Sequence, residues 1–202
     1  MSSLSHLRRS LNKNNVIFFN CDITEGMKSS LYSTWNVESI VKVALMMAKI
    51  AKILHIPLLV TEHAPKAFGY TLPEIKQVLP PDHLLFEKTQ FSMITEAGKS
   101  FLDKYPERKN VVLYGMETHI CIQQTCFSLL DLGYNVYLPA DGITSKRTID
   151  REVGLERLNK SGANVTTSES VIDELITDVR DKQFQEVNTL LAMNQYNKFR
   201  DL

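Results

Sequence analysis

The sequence predicts an α/β protein built on a Rossmann-like, doubly wound, six-stranded parallel sheet flanked by helices. Short apolar runs typical of buried strands alternate with stretches in which apolar residues recur every three or four positions, and this alternation continues to residue 176. A chain of 202 residues has the length of one such domain with a sizeable core. Ligands of these sheets bind beyond the carboxyl ends of the strands, near the point where the strand order reverses.

Each predicted strand is short, apolar and separated from the next by a helix or loop. The strands are predicted at residues 16–19, 57–60, 84–86, 111–114, 136–138 and 164–166. Helical periodicity covers residues 37–54, 97–104 and 150–161, and a further helix begins near Cys121 and ends at Gly133. A loop that contains Pro and Gly is expected over residues 64–81.

The predicted domain covers residues 13–177, between a lead-in at 1–12 and a helical tail at 178–202. The tail keeps apolar residues at helical spacing, and these are Phe184, Val187, Leu190, Leu191 and Met193. We expect the protein to be a homo-oligomer in which the tail contributes to the interface, because so much apolar surface exceeds what a solvated appendage needs. Packing of the tail on its own subunit is the alternative.

Composition excludes several classes of partner. Lys and Arg together number 23, as do Asp and Glu, so there is no overall attraction to nucleic acid or to a membrane surface. The three Cys residues form no CxxC pair, which indicates neither a disulfide framework nor a zinc site. We expect a cytoplasmic protein. Mitochondria are the alternative, because the N-terminus is rich in Ser and Arg and has no acidic residue before Asp22.

Cys121 follows the fourth predicted strand at the start of a helix. Gly115 interrupts the apolar run, and helical spacing of apolar residues begins at Ile122. Unpaired N–H groups and the positive end of the helix dipole at such a position stabilise a thiolate and can bind an oxyanion. Cys121 therefore has the placement of a nucleophile. The alternative is a buried, inert Cys on an apolar helix face.

Two further strands end in residues that could activate this thiol. Asp22 follows the first strand and Lys88 the third, so a parallel sheet would bring both to the same edge as Cys121. A carboxylate near a thiol can accept its proton, and an ammonium group can hold the thiolate and orient the acid. Taken separately, Asp22 could be a turn residue and Lys88 a surface charge. Cys21 is expected to face away from Asp22 and to be inert, because side chains alternate along a strand.

Four segments in order resemble the isochorismatase-like cysteine hydrolases, and most closely the small eukaryotic isochorismatase-domain proteins. They are the strand ending in Asp22 and residues 60–69 (VTEHAPKAFG), 87–93 (EKTQFSM) and 115–121 (GMETHIC), the last followed by Gln124 and Thr125. A Thr-Ser-Glu segment at residues 167–169 also matches. The resemblance covers roughly residues 13–176.

The resemblance implies an isochorismatase-like hydrolase fold and a catalytic triad. Asp22 would be the general base and acid, Lys88 the group that orients it, and Cys121 the nucleophile. A non-proline cis peptide would join Met116 and Glu117, and the N–H groups of Glu117 and Cys121 would bind the oxyanion. The implied reaction is hydrolysis of a small amide or related carbonyl compound through a thioester, with no cofactor and no metal.

The chain departs from the family pattern at two places. Thr24 stands where the family usually has Gln, so a polar amide is lost and substrate orientation can differ. Nicotinamidases of the family hold a metal with Asp and His residues after the second strand, whereas this chain offers Glu62 and His63. We assign Thr24, Glu62, His63, Phe91 and His119 to a possible substrate pocket. His119 could instead form a hydrogen bond behind the site.

Two other function classes remain open at this stage. One is a ribonuclease, because some relatives in kinetoplastid parasites carry the name of a mitochondrial ribonuclease. Phosphodiester cleavage fits poorly, because the sequence indicates no His pair, no metal cluster and no basic track for phosphates. The other is a catalytically silent interaction protein. The departure at Thr24 leaves this class open, whereas the presence of Asp22, Lys88 and Cys121 argues against it.

Overall fold

A parallel sheet forms the centre of the protein in the computed structural model, which describes residues 11–28 and 37–195. Its strands are β1 (Val16–Cys21), β2 (Leu58–His63), β3 (Leu84–Lys88), β4 (Asn110–Met116), β5 (Asn135–Pro139), β6 (Ile143–Thr144) and β7 (Asn164–Thr166). They lie in the order β3-β2-β1-β4-β5-β7, and β6 pairs with the end of β4. Every residue of β1 and β4 is buried, because these two strands occupy the middle of the sheet.

The helices occupy the connections between strands. They are α1 (Val37–Leu54), α2 (Pro65–Phe68), α3 (Pro73–Lys76), α4 (Glu96–Asp103), α5 (Gln123–Asp131), α6 (Thr148–Lys160), α7 (Ser168–Leu175) and α8 (Phe184–Gln195). A π-helical turn, Thr118–Ile122, leads directly into α5. Hydroxyl caps fix two of the helix starts, since Thr95 accepts from the N–H of Gly98 and Thr167 from that of Ser170.

The strand order reverses between β1 and β4. From β1 the chain moves outward to β2 and β3, and from β4 it moves outward in the other direction to β5 and β7. Right-handed crossovers that run in opposite directions place their helices on opposite faces of the sheet, which is the doubly wound arrangement. The carboxyl ends of β1 and β4 therefore border the crevice in which such folds bind ligands.

The predicted fold class is confirmed, with one difference in the strand count. All six predicted strands form, and most extend one to three residues beyond the predicted bounds. The additional strand is β6, whose two residues are too few to give a period in the sequence. The predicted loop over residues 64–81 contains the one-turn helices α2 and α3, each of which begins at a Pro.

The C-terminal helix α8 packs on α1 of the same chain. Val187 and Leu191 are buried in the core cluster, whereas Met193 is exposed. Gln183, just before α8, donates from Nε2 to the carbonyl oxygen of Ile53 at 2.5 Å. Val187 and Leu191 therefore pack on their own subunit, which is the alternative given for the tail. These two side chains do not contribute to an interface between subunits, which is the role predicted for the tail.

The predicted lead-in lies mostly outside the described residues, and so does the Ser- and Arg-rich segment on which the mitochondrial alternative rests. Of the lead-in, Leu11 is buried and its N–H donates to Glu174 Oε2 at 3.1 Å. No described helix combines the length and the apolar character that crossing a membrane requires.

Candidate active site

Three strand ends bring Asp22, Lys88 and Cys121 together at the β1/β4 crevice. Lys88 Nζ lies 2.7 Å from Asp22 Oδ2 and 3.8 Å from Cys121 Sγ. All three side chains are nearly buried, with exposed fractions of 5–6% for the whole residues. The ammonium group therefore lies between a carboxylate and a thiol in surroundings that screen charge much less than water does.

Asp22 owes its orientation to a turn of the backbone at the end of β1. Its φ is 53°, a left-handed conformation that Asp tolerates better than most residues. Thr61 Oγ1 donates to Asp22 Oδ1 at 2.8 Å, and Lys88 donates to Oδ2. Both carboxylate oxygens thus have a donor, which fixes the plane of the group relative to Cys121.

Lys88 is held by the loop that follows β3. Its Nζ also donates to the carbonyl oxygens of Gln90 at 3.2 Å and Phe91 at 3.0 Å. Burial opposes the charge of Lys88, but the neighbouring Cys21, Asp22 and Cys121 groups outweigh it and raise the pKa of this ammonium. Lys88 consequently stays a cation at neutral pH.

Cys121 lies in the π-helical turn after β4. The peptide bond between Met116 and Glu117 is cis. Thr118 ties the turn to the segment after β6, because its N–H donates to Ser145 Oγ at 3.1 Å and its hydroxyl donates to the carbonyl oxygen of Thr144 at 3.0 Å. These bonds, both buried, position the turn that carries the thiol.

Cys21 does not face away from the site, and the expectation from strand alternation was wrong. Its Sγ lies 3.4 Å from Asp22 Oδ2, and the Cys21 sulfur, an Asp22 oxygen and the Cys121 sulfur all lie within 4.8 Å of one another. The physical reason is the left-handed backbone of Asp22, which ends the alternation and turns its carboxylate toward the side occupied by Cys21. Cys21 is fully buried, and burial, followed by the effects of Cys121 and Asp22, raises the pKa of its thiol well above the usual value.

A cavity of about 150 Å³ opens above Asp22 and Cys121. Its walls are formed by Asp22, Thr24, Gly26, His63, Phe68, Phe91, Met116, Glu117, Ile120 and Cys121. The His63 ring stacks between Phe68 and Phe91, with ring centroids 5.7 and 5.4 Å away. Burial and then the charge of Lys88 lower the pKa of His63, so the imidazole is neutral at pH 7. The cavity is small and its lining is largely apolar, apart from polar residues such as Asp22 and Cys121.

The predicted pocket residues divide into two groups. Thr24, His63 and Phe91 line the cavity, whereas Glu62 and His119 do not. Glu62 accepts from the N–H of Thr71 at 2.8 Å and pairs with Lys76 at 3.0 Å. Burial raises the pKa of Glu62, but the bonds from Thr71 and Lys76 outweigh it and lower the pKa overall. Glu62 therefore anchors the loop after β2.

His119 belongs to the π-helical turn that carries Cys121 but does not line the cavity. Its Nδ1 is 3.1 Å from Ser145 Oγ, and its ring nitrogens are 3.9 Å from carboxylate oxygens of Glu117 and Asp150. The contact with Ser145 agrees with the alternative prediction for His119, a hydrogen bond outside the substrate pocket. Cavity-wall residues that the sequence did not assign to the pocket are Gly26, Phe68, Met116 and Ile120. They are apolar, and nothing in a single sequence separates them from core residues.

Cys21, Asp22 and Cys121 together offer a set of atoms close enough to hold a metal ion. The position of Lys88 opposes such a site, because its ammonium group already bonds to the Asp22 carboxylate and lies beside the Cys121 sulfur. A metal ion there would have to displace a buried cation or tolerate its repulsion. His63 stacks against aromatic rings and is separate from this set.

Comparison with known proteins assigns the chain to a family. Residues 16–170 match the isochorismatase domain. The chain belongs to the isochorismatase family. Among similar curated proteins is the isochorismatase domain-containing protein 2 of Xenopus laevis, which is 37% identical over 95% of this chain and 90% of its own length.

Solved structures extend the comparison of this isochorismatase-family chain. A structure described as the MAR1 ribonuclease of Caenorhabditis elegans has a TM-score of 0.86 and 33% identity, covering 91% of this chain and 92% of its own. The YcaC gene product of Escherichia coli, described as an octameric hydrolase of unknown specificity, has a TM-score of 0.81 and 21% identity, covering 96% and 94%. At 21% identity, the similarity to the YcaC gene product shows a shared fold only. The chain thus has the isochorismatase-family hydrolase fold, as its sequence motifs predicted.

Proposed function

We propose that this protein is a cysteine hydrolase that cleaves a small amide or a related carbonyl compound through a thioester. The observation that carries the proposal is the position of Lys88 Nζ, which lies 2.7 Å from Asp22 Oδ2 and 3.8 Å from Cys121 Sγ. Asp22 and Cys121 both line the cavity. A thiol next to an ammonium group and within reach of a carboxylate has the surroundings of an activated nucleophile.

The reaction follows from the roles that these groups can take. Asp22 accepts the Cys121 proton, and the thiolate attacks the carbonyl carbon while the N–H groups of Glu117 and Cys121 donate to the developing oxyanion. The tetrahedral intermediate collapses as Asp22 returns the proton to the leaving nitrogen, which leaves a thioester on Cys121. Asp22 then takes a proton from water, and the resulting attack releases the acid and restores the thiol.

The cavity limits the substrate class. Its volume of about 150 Å³ is below the range of ordinary drug-sized pockets, so the group that enters is small. Phe68, Phe91, Met116 and Ile120 give it apolar walls, and His63 is neutral. We therefore expect a small, uncharged acyl group to occupy the cavity.

A carbonyl-electrophile activity probe tests the proposal. The wild-type protein and Cys121→Ala are incubated with the probe, and the labelled residue is located by mass spectrometry. Cys126→Ala is the matched control, because it removes a buried thiol from α5, away from the cavity lining. We expect labelling of the wild type and of Cys126→Ala but not of Cys121→Ala. Absence of labelling in the wild type would favour a catalytically silent interaction protein.

The ribonuclease alternative is kept because the C. elegans relative carries that name. Lys88 is buried and bonded to the cavity-wall residue Asp22, so it offers little to a phosphate chain. Incubation with single-stranded and double-stranded RNA tests this alternative. RNA cleavage that disappears in Cys121→Ala would replace the amidohydrolase proposal.

We further propose that the protein assembles as a homo-oligomer. Support comes from the octameric E. coli neighbour and from Ile149 and Val153 on α6, one turn apart and each more than half exposed. Light scattering on the wild type and on Ile149→Lys tests this, with a monomeric wild type as the contrary result.

A further inference from the structure

The proposed hydrolysis does not use Cys21, although this thiol lies beside the nucleophile. The Cys21 and Cys121 sulfurs are within 4.8 Å of each other, and both lie within 4.8 Å of an Asp22 carboxylate oxygen. Cys21 is fully buried at the end of β1, whereas Cys121 lines the cavity. The pair therefore consists of one thiol that a small molecule can reach and one that it cannot.

The two sulfurs would have to approach each other by at most about 3 Å to form a bond. A disulfide places its sulfurs about 2 Å apart and its Cβ atoms about 4 Å apart. Cys21 is paired in register with Gly115 of β4, and the turn that carries Cys121 follows directly after that strand. The same two neighbouring strand ends thus hold both residues.

We propose that Cys21 and Cys121 form a peroxide-sensitive thiol pair, in which oxidation of Cys121 is followed by a Cys21–Cys121 disulfide that switches the hydrolase off reversibly. This inference rests on the proposed function in one respect, namely that Cys121 is the reactive thiol. The chemical class of the oxidant is a hydroperoxide, and that of the reductant is a dithiol.

The chemistry balances in two steps. The Cys121 thiolate attacks the distal oxygen of the peroxide, forms an S–O bond and breaks the O–O bond, which gives a sulfenic acid and, after protonation, an alcohol or water. Cys21 sulfur then attacks the sulfenic sulfur, and hydroxide leaves with the Cys21 proton as water. The two thiols lose two electrons in total, and the peroxide gains them.

The structure supports this order of events. Cys121 meets the peroxide first, because it lines the cavity and has Lys88 Nζ 3.8 Å away to stabilise its thiolate. Asp22 Oδ2, 3.4 Å from Cys21 Sγ, is placed to accept the Cys21 proton during the second step. Burial and the neighbouring Cys121 and Asp22 groups raise the pKa of Cys21, so this thiol stays protonated and inert until the sulfenic acid forms.

The test uses the full chain. Reduced protein is treated with a small excess of hydrogen peroxide, free thiols are blocked with iodoacetamide under denaturing conditions, and the non-reduced peptides are mapped by mass spectrometry. We expect a linked peptide pair containing Cys21 and Cys121 in the wild type and in Cys126→Ala, and recovery of iodoacetamide-reactive Cys121 after treatment with dithiothreitol. In Cys21→Ala we expect sulfinic and sulfonic acid at Cys121 and no recovery.

Several outcomes would overturn the inference. Sulfinic or sulfonic Cys121 with free Cys21 in the wild type, or a Cys121–Cys126 link, would show that Cys21 does not resolve the sulfenic acid. Cys21→Ser is used if Cys21→Ala does not fold, and the wild-type peptide map decides the question even without either variant. Native alkylation with iodoacetamide separates the two proposals: a Cys121 that fails to react contradicts the proposed function, whereas a reactive Cys121 with no link contradicts only the thiol pair.

Discussion

Replacing Lys88 with Met should slow the reaction of Cys121 with iodoacetamide at pH 7. Met keeps the length of the side chain but removes the ammonium group that lies 3.8 Å from the sulfur. At an effective dielectric constant of about 20, a unit charge at that distance stabilises the thiolate by about 4 kcal/mol. Asp22 acts in the opposite sense. With one carboxylate oxygen within 4.8 Å of the sulfur, it destabilises the thiolate by about 3.5 kcal/mol or more at the same dielectric constant.

These two interaction energies set the limits of the expected change in alkylation rate. If Asp22 stays ionised in Lys88→Met, the thiolate loses the full 4 kcal/mol, which corresponds to roughly a thousandfold fewer reactive molecules. If Asp22 takes up a proton instead, the loss is the difference between the two interactions, less than about 1 kcal/mol or less than roughly fivefold. We therefore expect a rate reduced by about a thousandfold if Asp22 stays ionised and by less than about fivefold if it becomes protonated. The double variant Asp22→Asn/Lys88→Met should show the smaller reduction, because it has neither charge.

The assay is the rate of alkylation at Cys121, measured by mass spectrometry at several pH values. Lys76→Met is the matched control, because it removes a cation that pairs with Glu62 and leaves the ammonium beside Cys121 in place. Circular dichroism and a thermal melt show whether each variant is folded. An alkylation rate for folded Lys88→Met equal to or faster than that of the wild type at every pH from 6 to 9 would refute the electrostatic reasoning.

The remaining predictions concern the acid, the other thiols, metals and the tail. Asp22→Asn should stay folded and lose turnover of whichever substrate is found, as measured by product formation, and near-wild-type turnover would contradict its role. At pH 7 iodoacetamide should label Cys121 rather than Cys126, because burial raises the pKa of Cys126 to about 12 and its thiolate forms only as the pH approaches that value. Turnover should survive dialysis against EDTA, and loss that added zinc restores would make Cys21, Asp22 and Cys121 a metal site. Truncation after Thr177 should lower the free energy of unfolding by about 3–6 kcal/mol, because Val187 and Leu191 are buried, and light scattering should find the assembly state unchanged.

The fold was predictable largely because its two central strands are buried on both faces. β1 and β4 are apolar runs without exposed positions, and such runs are visible in a single sequence. β6 was not visible, since Ile143 and Thr144 are too few residues for any pattern. The π-helical turn was also missed, because the apolar spacing that predicts a helix near Cys121 does not distinguish one kind of helical turn from another.

The site was predictable residue by residue but not as an assembly. Asp22, Lys88 and Cys121 each follow a strand, and a parallel sheet brings such residues to one edge. Their grouping around one ammonium depended on the family resemblance, because sequence physics sets no distances between strand ends. Cys21 was misplaced for a local reason: the left-handed conformation of Asp22 is set by the surrounding structure, and no residue near it signals this turn.

The departure at Thr24 affects the wall of the cavity and not the group formed by Asp22, Lys88 and Cys121. Thr24 Oγ1 donates to the carbonyl oxygen of Phe68 at 2.8 Å, and Thr24 forms an antiparallel bridge with Thr71. Its hydroxyl proton is therefore used within the protein, whereas the Gln usual in the family has two amide protons and a carbonyl oxygen to offer. The bond to Phe68 also holds the ring that stacks on His63 at the cavity wall. Thr24 thus supplies a fixed aromatic wall in place of a free side-chain amide, which is the reason to begin the substrate search with small apolar acyl groups.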